Sequence, residues 1–207
     1  MRLAYARFAC PVEGLGPGER LVLWVSGCSI RCRGCMTPEL FSHSATRDVH
    51  ELALELIPHL QIVPRLTISG GEPFEQAPAL TELVTRLRRE ISVEVAIYTG
   101  FVLKELVVRG DACVKLIDAA DILIDGPFME SAANTKQWRG SDNQRVHLLS
   151  AAAQKYRDVA DMPMSESRSL QFAVANGELT IIGIPRRGEL KMFQSFLQAQ
   201  HVIGESR

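Results

Sequence analysis

Three cysteines, Cys28, Cys32 and Cys35, lie in one short segment of the chain at C-x3-C-x2-C spacing. The segment follows an apolar run, residues 21–25, which predicts a buried β-strand. We therefore expect the thiols at the carboxyl end of a strand, where α/β folds place their active sites. Clustered thiolates of this kind bind zinc or an iron–sulfur cluster.

The spacing of the cysteines does not by itself identify the metal. A structural zinc site needs a fourth ligand from elsewhere in the chain, for which His43 is a candidate. A [4Fe–4S] cluster held by three cysteines instead keeps one iron open, and an open iron can bind and act on a small molecule. The cysteines alone leave both the zinc site and the cluster open.

A second segment, Gly70-Gly71-Glu72-Pro73, follows another strand-like run about one βαβ unit downstream. Its glycines lack a Cβ atom, so the backbone can approach a ligand closely. The two segments, in this order and each after a strand, resemble the radical S-adenosylmethionine (SAM) enzymes. The resemblance implies that Cys28, Cys32 and Cys35 hold a catalytic [4Fe–4S] cluster, and that Gly70, Gly71, Glu72 and Pro73 contact the methionine part of SAM. The alternative for Glu72 is an ordinary turn carboxylate.

Further segments narrow the resemblance to the activating enzymes of glycyl radical enzymes, of the anaerobic ribonucleotide reductase type. They are Gly16–Arg20, the glycine before Cys35, and residues 98–101, 121–128 and 138–145. The likeness covers about residues 14–149. It implies an oxidoreductase in which one electron from the cluster cleaves SAM to a 5′-deoxyadenosyl radical, which abstracts hydrogen from a glycine of a separate glycyl radical enzyme. A flavodoxin-like protein is the implied electron donor.

Two polar residues end later strands of the predicted sheet. The resemblance implies that Asp125 lies near SAM or a bound cation, and that Thr99 presents its hydroxyl to the ligand. The alternatives are a carboxylate that caps the Gly126-Pro127 turn and a hydroxyl that satisfies its own backbone. The polar run at 138–145 is expected to line the opening that faces the partner.

Apolar periodicity predicts an α/β fold. The predicted strands are residues 21–25, 66–69, 93–98, 121–125 and 145–149, and the predicted helices include 47–60 and 101–109. Such alternation gives a parallel sheet, and the resemblance implies a partial (β/α)6 barrel; a doubly wound open sheet is the alternative. A hairpin around Asn176-Gly177 and a helix follow. We expect a single domain over residues 1–207, with a core at about 14–149 and a C-terminal extension from 150.

The composition is that of a globular protein, with 46% apolar and 23% charged residues and a net charge of −1. A nucleic-acid-binding surface usually shows as a basic excess, so none is expected. The sequence has neither an apolar run long enough to span a membrane nor an N-terminal signal segment, which predicts a cytoplasmic protein with free or metal-bound thiols. Two other functions stay open: a stand-alone radical SAM enzyme acting on a peptide or metabolite, and a non-enzymatic metal-binding module.

Overall fold

The computed structural model describes residues 1–43, 45–132, 135–163, 170–175, 178–186, 188–189, 191–193 and 195–196. The strands are β1 (Arg2–Val12), β2 (Arg20–Val25), β3 (Thr46–Asp48), β4 (Arg65–Gly70), β5 (Glu94–Tyr98), β6 (Ile122–Asp125), β7 (Arg145–Leu148), β8 (Gln171–Ala175) and β9 (Glu178–Ile182). The α-helices are α1 (Val49–Ile62), α2 (Ala77–Glu90), α3 (Leu103–Val108), α4 (Asp111–Asp118) and α5 (Arg157–Ala160). Short 3-10 turns cover Pro38–Phe41, Pro73–Gln76 and Ala152–Tyr156.

The central sheet has seven strands in the order β3-β1-β2-β4-β5-β6-β7. Strands β2, β4, β5 and β6 are parallel neighbours, whereas β3, β1 and β7 pair antiparallel at the two sides. The predicted α/β class, with a mostly parallel central sheet, is thus confirmed. The parallel strands all end at one edge, and the cysteine segment and the Gly-Gly-Glu-Pro segment follow two adjacent members, β2 and β4.

Two features of the sheet differ from the prediction. The predicted fifth parallel strand, β7, runs antiparallel to β6. Between β6 and β7 the described residues form turns and no helix, so the chain reverses without the crossover that a parallel neighbour requires. The N-terminal residues, for which no strand was predicted, form the 11-residue strand β1, whose mostly half-buried side chains give no clear alternating pattern.

Helix α1 begins later than its predicted start at residue 47. Its N-cap is Asp48, whose carboxylate accepts hydrogen bonds from the backbone N–H groups of His50 (2.8 Å) and Glu51 (3.3 Å). Thr46, which directly precedes the predicted helix, belongs to β3 and pairs with Ala4 of β1. The short strand β3 therefore takes two residues that the periodicity had assigned to the helical turn.

Alternate side chains of each parallel strand face opposite sides of the sheet. On one side Leu23, Ile68 and Ile97 pack in the same core cluster as residues of α1, α2 and α4. On the other side Trp24 packs near Ile182 of β9, and a separate cluster of strand residues includes Ala153 of the C-terminal extension. Residues after 150 thus cover a face of the sheet that the crossover helices leave open.

The Gly16–Arg20 segment closes the amino-terminal end of the sheet, opposite the cysteines. The fully buried guanidinium of Arg20 donates to Thr67 Oγ1 (2.6 Å), to Glu94 Oε1 (2.9 Å) and to the carbonyl oxygen of Leu66 (2.8 Å). A Cβ atom at Gly16 would lie 2.9 Å from Cδ of Arg20. The segment ties three strands together, and its contacts lie far along the strands from the cysteine loop.

The C-terminal extension contains the expected pair of antiparallel strands, β8 and β9. The Asn176-Gly177 turn, and Leu190 and Leu197 of the predicted final helix, lie outside the described residues. At the start of the extension, the 3-10 turn Ala152–Tyr156 leads directly into α5. No helix among the described residues is long and apolar enough to cross a membrane.

Candidate functional site

The cysteine loop leaves the carboxyl end of β2 and is folded back by the 3-10 turn that follows it. The backbone N–H of Gly27 donates to the carbonyl oxygen of Leu40 (2.8 Å), and that of Cys28 donates to Phe41 (3.1 Å). Within the loop, the N–H of Cys35 donates to the carbonyl of Cys32 (3.2 Å). Both ends of the loop are therefore anchored, while all three thiols stay half-buried.

The three cysteines line one cavity of about 580 Å³, a size typical of sites for small molecules and cofactors. Its floor is formed by the ends of the parallel strands and the loops after them, namely Ser69, Gly70, Gly71, Glu72, Tyr98, Thr99 and Gly100. The structure thus brings together the cysteines, Gly70, Gly71, Glu72 and Thr99 from the predicted site. Pro73 does not line the cavity; it is buried at the start of the 3-10 turn.

The thiols sit among backbone N–H groups. Burial raises the pKa of Cys28, and the backbone N–H groups of Arg31 and Ile30 oppose this by a smaller amount. Burial likewise raises the pKa of Cys32, against a hydrogen bond from the backbone of Phe128. Thiols with raised pKa values hold their protons at neutral pH, so a metal or cluster must displace those protons on binding.

The donor set fits a cluster better than a single metal ion. Among the described residues, no three His, Cys, Asp or Glu side chains are grouped so that they could hold one metal ion, and His43 does not complete such a set. In an iron–sulfur cluster the cysteines can ligate different irons, so their sulfurs need not converge on one point. The three thiols line one cavity without converging on one point, and backbone N–H groups are directed at their sulfurs. This arrangement suits a cluster.

The two glycines of the Gly-Gly-Glu-Pro segment are required by contact with the segment that leads into the cysteine loop. The N–H of Gly71 donates to the carbonyl of Val25 (2.8 Å). A Cβ atom at Gly70 would lie 2.4 Å from the carbonyl oxygen of Val25, and one at Gly71 would lie 2.2 Å from that of Gly27. Any side chain there would push the two segments apart, so the glycines set the distance between them.

Glu72 is buried and bonds to three donors. Its Oε1 accepts from the N–H of Phe74 (3.0 Å) and the hydroxyl of Thr99 (2.8 Å), and its Oε2 accepts from the N–H of Gly100 (2.8 Å). Burial raises the pKa of Glu72 to about 7, because it outweighs the three hydrogen bonds, which lower it. A carboxylate offers about four acceptor positions, so one is left for a donor from the cavity.

The hydroxyl of Thr99 both donates and accepts a hydrogen bond. It donates to Glu72 and accepts from the N–H of Phe101 (3.1 Å). The hydroxyl thereby satisfies its own backbone two residues on, as in the alternative interpretation, and also links the loop after β5 to the loop after β4. Thr99 therefore lines the cavity and also links the two loops.

The comparisons with known proteins agree with this geometry. Residues 14–147 match the family model of the 4Fe-4S single cluster domain. The anaerobic ribonucleoside-triphosphate reductase-activating protein of Vibrio cholerae is 34% identical over 141 residues, which cover 64% of this chain and 89% of that protein. The chain belongs to the family of anaerobic ribonucleoside-triphosphate reductase-activating proteins. Activating proteins of the same name from Haemophilus influenzae (36% identical over 143 residues, 64% of this chain and 89% of theirs) and Escherichia coli (31% identical over 143 residues, 65% and 91%) are also similar.

Membership in the activating-protein family confirms the predicted resemblance to radical SAM activating enzymes and the prediction that the chain is an enzyme. It also supports an iron–sulfur cluster in preference to zinc. The matched region ends at residue 147, so the C-terminal extension lies beyond it.

In this member of the activating-protein family, Asp125 is buried and does not line the cavity. Its Oδ2 accepts from the N–H of Leu103 (2.6 Å), the first residue of α3. Its Oδ1 lies 3.1 Å from Nε2 of His147, without the alignment of a hydrogen bond. The carboxylate therefore fastens the loop after β5 to β6 and does not cap the Gly126-Pro127 turn through a hydrogen bond of its own.

The polar run at 138–145 supports the far wall of the cavity. Gln144 lines the cavity, donates to the carbonyl of Gly126 (2.9 Å) and accepts from the N–H of Gly140 (2.8 Å). Trp138 is buried, and its carbonyl oxygen accepts from the hydroxyl of Tyr98 (2.8 Å). These contacts hold the loop after β6 in place beside the cysteines.

Sequence reasoning missed two residues that position the cysteine loop. Glu75 accepts hydrogen bonds from both the N–H (3.0 Å) and the hydroxyl of Ser29. Gln76 donates to the carbonyls of Ser26 (3.0 Å) and Ala4 (3.0 Å) and accepts from the N–H of Ala4 (2.7 Å). Both residues lie within three positions of the Gly-Gly-Glu-Pro segment. Because that segment was expected beside the cysteines, their position in the sequence could have indicated this role.

Proposed function

We propose that this chain activates an anaerobic ribonucleoside-triphosphate reductase by generating a glycyl radical on it. The observation that carries the proposal is the shared cavity, where the three cysteines face the Gly-Gly-Glu segment at the carboxyl ends of adjacent parallel strands. The relatives that bear this activity in their names are matched over most of their length.

The residues proposed for the cofactors are those of the predicted site. Cys28, Cys32 and Cys35 would each give one thiolate to a [4Fe–4S] cluster. When bound, the cluster supplies one electron that cleaves SAM to methionine and a 5′-deoxyadenosyl radical, which removes hydrogen from the partner's glycine. The unused acceptor position of Glu72 suits the ammonium group of SAM.

The other predicted site residues position the loops and side chains that form the site. Gly70 and Gly71 hold the two loops at contact distance, and Pro73 starts the turn that carries Glu75 and Gln76. Thr99 fixes the orientation of Glu72. Asp125 fixes the loop after β5 through Leu103, so we propose it as a positioning residue.

For the fold, we propose a partial barrel of the radical SAM type within a single domain over residues 1–207. The sequential order of β2, β4, β5 and β6 supports a barrel-like winding, because a doubly wound sheet reverses its strand order at a switch point. The packing of α1, α2 and α4 in one cluster on one face supports the same winding.

A flavodoxin-like electron donor is part of the proposal. The two arginines that flank Cys32, Arg31 and Arg33, are exposed in the cluster loop itself. A donor with an acidic surface would be attracted there and would approach the cluster along a short path. The test changes both arginines to serine in the cluster-loaded protein. Slower reduction by a flavodoxin, with unaltered reduction by dithionite, would support this electron donor.

The test of the function is anaerobic. The protein is reconstituted with iron and sulfide, reduced with dithionite and given SAM, and 5′-deoxyadenosine is measured by chromatography. Wild type and a Cys10→Ala control, which removes a thiol outside the cavity lining, are expected to form it, and Cys32→Ala is expected to form none. Addition of the reductase should then give a glycyl radical signal in electron paramagnetic resonance.

Two outcomes would overturn the proposal in different ways. Without cluster assembly, or with a cluster that neither binds nor cleaves SAM, the chain is a metal-binding module. If deoxyadenosine forms but no glycyl radical appears on the reductase, the chain is a radical SAM enzyme with another substrate.

A further inference from the structure

The C-terminal extension forms one wall of the cavity that holds the cysteines. Its contribution is mainly apolar, from Ile181, Ile182, Ile184 and Pro185, with Arg186 and Lys191 also lining the cavity. These residues lie beyond residue 147, where the match to the family model ends. The wall is therefore a feature of this chain that the matched domain does not supply.

The wall is fixed to the rest of the fold. Ile182 is 4% exposed and packs in one cluster with Leu15 and Trp24. At the other strand of the pair, Gln171 accepts from the N–H of Glu13 (2.7 Å) and donates to the carbonyl of Pro11 (3.3 Å). Lys191 lies 3.6 Å from Glu130, so an exposed ion pair joins the extension to the loop after β6. Contacts on both sides of the cavity hold the segment in place.

The two sides of the cavity differ in chemistry. The floor carries the carboxylate of Glu72, whose remaining acceptor position suits the ammonium group of a methionine. In the wall, Ile181, Ile184 and Pro185 offer aliphatic surface, and the charged Arg186 and Lys191 follow them in the chain. Such a surface suits an uncharged, flat group, since binding sites combine a mostly apolar lining with a few polar groups that fix orientation.

We propose that this wall, residues 181–185, holds the adenosyl group of SAM. The inference rests on the proposed function, because it assigns one half of the same ligand to one side of the cavity. It makes the C-terminal extension part of the binding site and a determinant of SAM affinity in this chain.

The test uses the full-length protein, reconstituted with its cluster under anaerobic conditions. Ile184→Ala removes aliphatic surface from the wall, and Met192→Ala is the matched control on the same extension, since Met192 is 70% exposed and does not line the cavity. Equilibrium dialysis measures the dissociation constants of SAM, of 5′-deoxyadenosine and of methionine separately. Ile184→Ala should weaken SAM and 5′-deoxyadenosine about tenfold. Methionine binding, and all binding by the control, should be unchanged.

A second variant, Ile181→Ala, is measured in the same way, so that the test holds if circular dichroism shows that one variant does not fold. Wild-type affinity for 5′-deoxyadenosine in the folded variants overturns the inference. So does an equal loss for methionine, which means general loosening, or a change confined to the concentration of reductase needed for activation, which means that the wall contacts the partner. If wild type itself neither binds nor cleaves SAM, the proposed function has failed instead.

Discussion

The backbone N–H of Glu72 donates a 2.7 Å hydrogen bond to the carbonyl oxygen of Gly27, the residue before the first cysteine of the loop. This bond joins the loop after β4 to the loop after β2 at the edge where both strands end. It places the floor of the cavity and the cysteines in one rigid arrangement, because neither loop can shift without breaking it. Substitutions around this bond test that arrangement, and a substitution at the opposite end of the sheet tests the stability of the fold apart from it.

Gly71→Ala should disrupt the junction. A Cβ atom there would lie 2.2 Å from the carbonyl oxygen of Gly27, and the three nearest atoms are all backbone atoms of Gly27, so no flexible side chain can move away. We expect the free energy of unfolding to fall by about 2–3 kcal/mol, with loss of iron after gel filtration. Chemical denaturation and iron analysis measure the two effects.

Gly110→Ala is the control for this change. Gly110 has a φ of +118°, but a Cβ atom added to it would meet no atom within 4 Å, so its substitution tests backbone strain without a clash. It should lower stability by about 1–2 kcal/mol and leave the iron content unchanged. Equal iron loss in both variants would contradict the role of the glycine contact.

Glu72 should make the stability of the cluster-free protein depend on pH. Its pKa is raised from 4.5 to about 7 by burial, so the native state holds a proton that the unfolded state releases. Stability from this group is fully present below about pH 4.5 and is lost as the pH rises through about 7, by up to about 3 kcal/mol. Urea unfolding of wild type and Glu72→Gln at pH 5 and pH 8 measures it.

The Glu72→Gln variant should be less stable at both values, because its amide group presents a donor to the N–H of Gly100. It should also lack the part of the pH dependence that belongs to this carboxyl. An identical fall in stability between pH 5 and pH 8 in both proteins would assign the dependence to other groups.

Gln76→Ala should loosen the cysteine loop. The side chain makes three hydrogen bonds, to the carbonyls of Ser26 and Ala4 and from the N–H of Ala4, all across 50 residues or more of sequence. We expect a loss of about 1–3 kcal/mol in stability and faster release of iron to a chelator. Gln154→Ala, which removes an exposed amide far from the cysteines in the chain, should release iron at the wild-type rate.

Arg20→Ala should destabilise the protein without acting through the cysteines. The buried guanidinium bonds to Thr67, Glu94 and Leu66, and its removal leaves the half-buried Glu94 with the exposed Lys155 as its remaining ion-pair partner. A loss of about 3–5 kcal/mol is expected from thermal or chemical unfolding. Arg86→Ala removes a guanidinium from a half-buried pair with Glu82 on the surface of α2 and should change stability by less than about 1 kcal/mol.

Local pattern was enough to predict the parallel strands and the two segments at their ends. Buried strands such as β2 and β6 contain continuous apolar runs, at 21–25 and 122–124, and the cysteine and Gly-Gly-Glu-Pro motifs need no distant residue to be recognised. Pattern was insufficient for β1, whose mostly half-buried side chains give no clear alternation, and for the direction of the predicted strand β7, which depends on how the preceding loop turns back.

The cysteine spacing and the glycine pair are local properties of the chain, so the amino-acid sequence was sufficient to predict an iron–sulfur site at these residues. The contacts of those residues, in contrast, depend on the folded chain. The structure showed that Gly71 packs on Gly27, that Glu72 is held by Thr99 and Gly100, and that Ile184 lines the same cavity as Cys28. These contacts join residues far apart in the chain, and they exist only where folded strands bring their ends to one edge of the sheet.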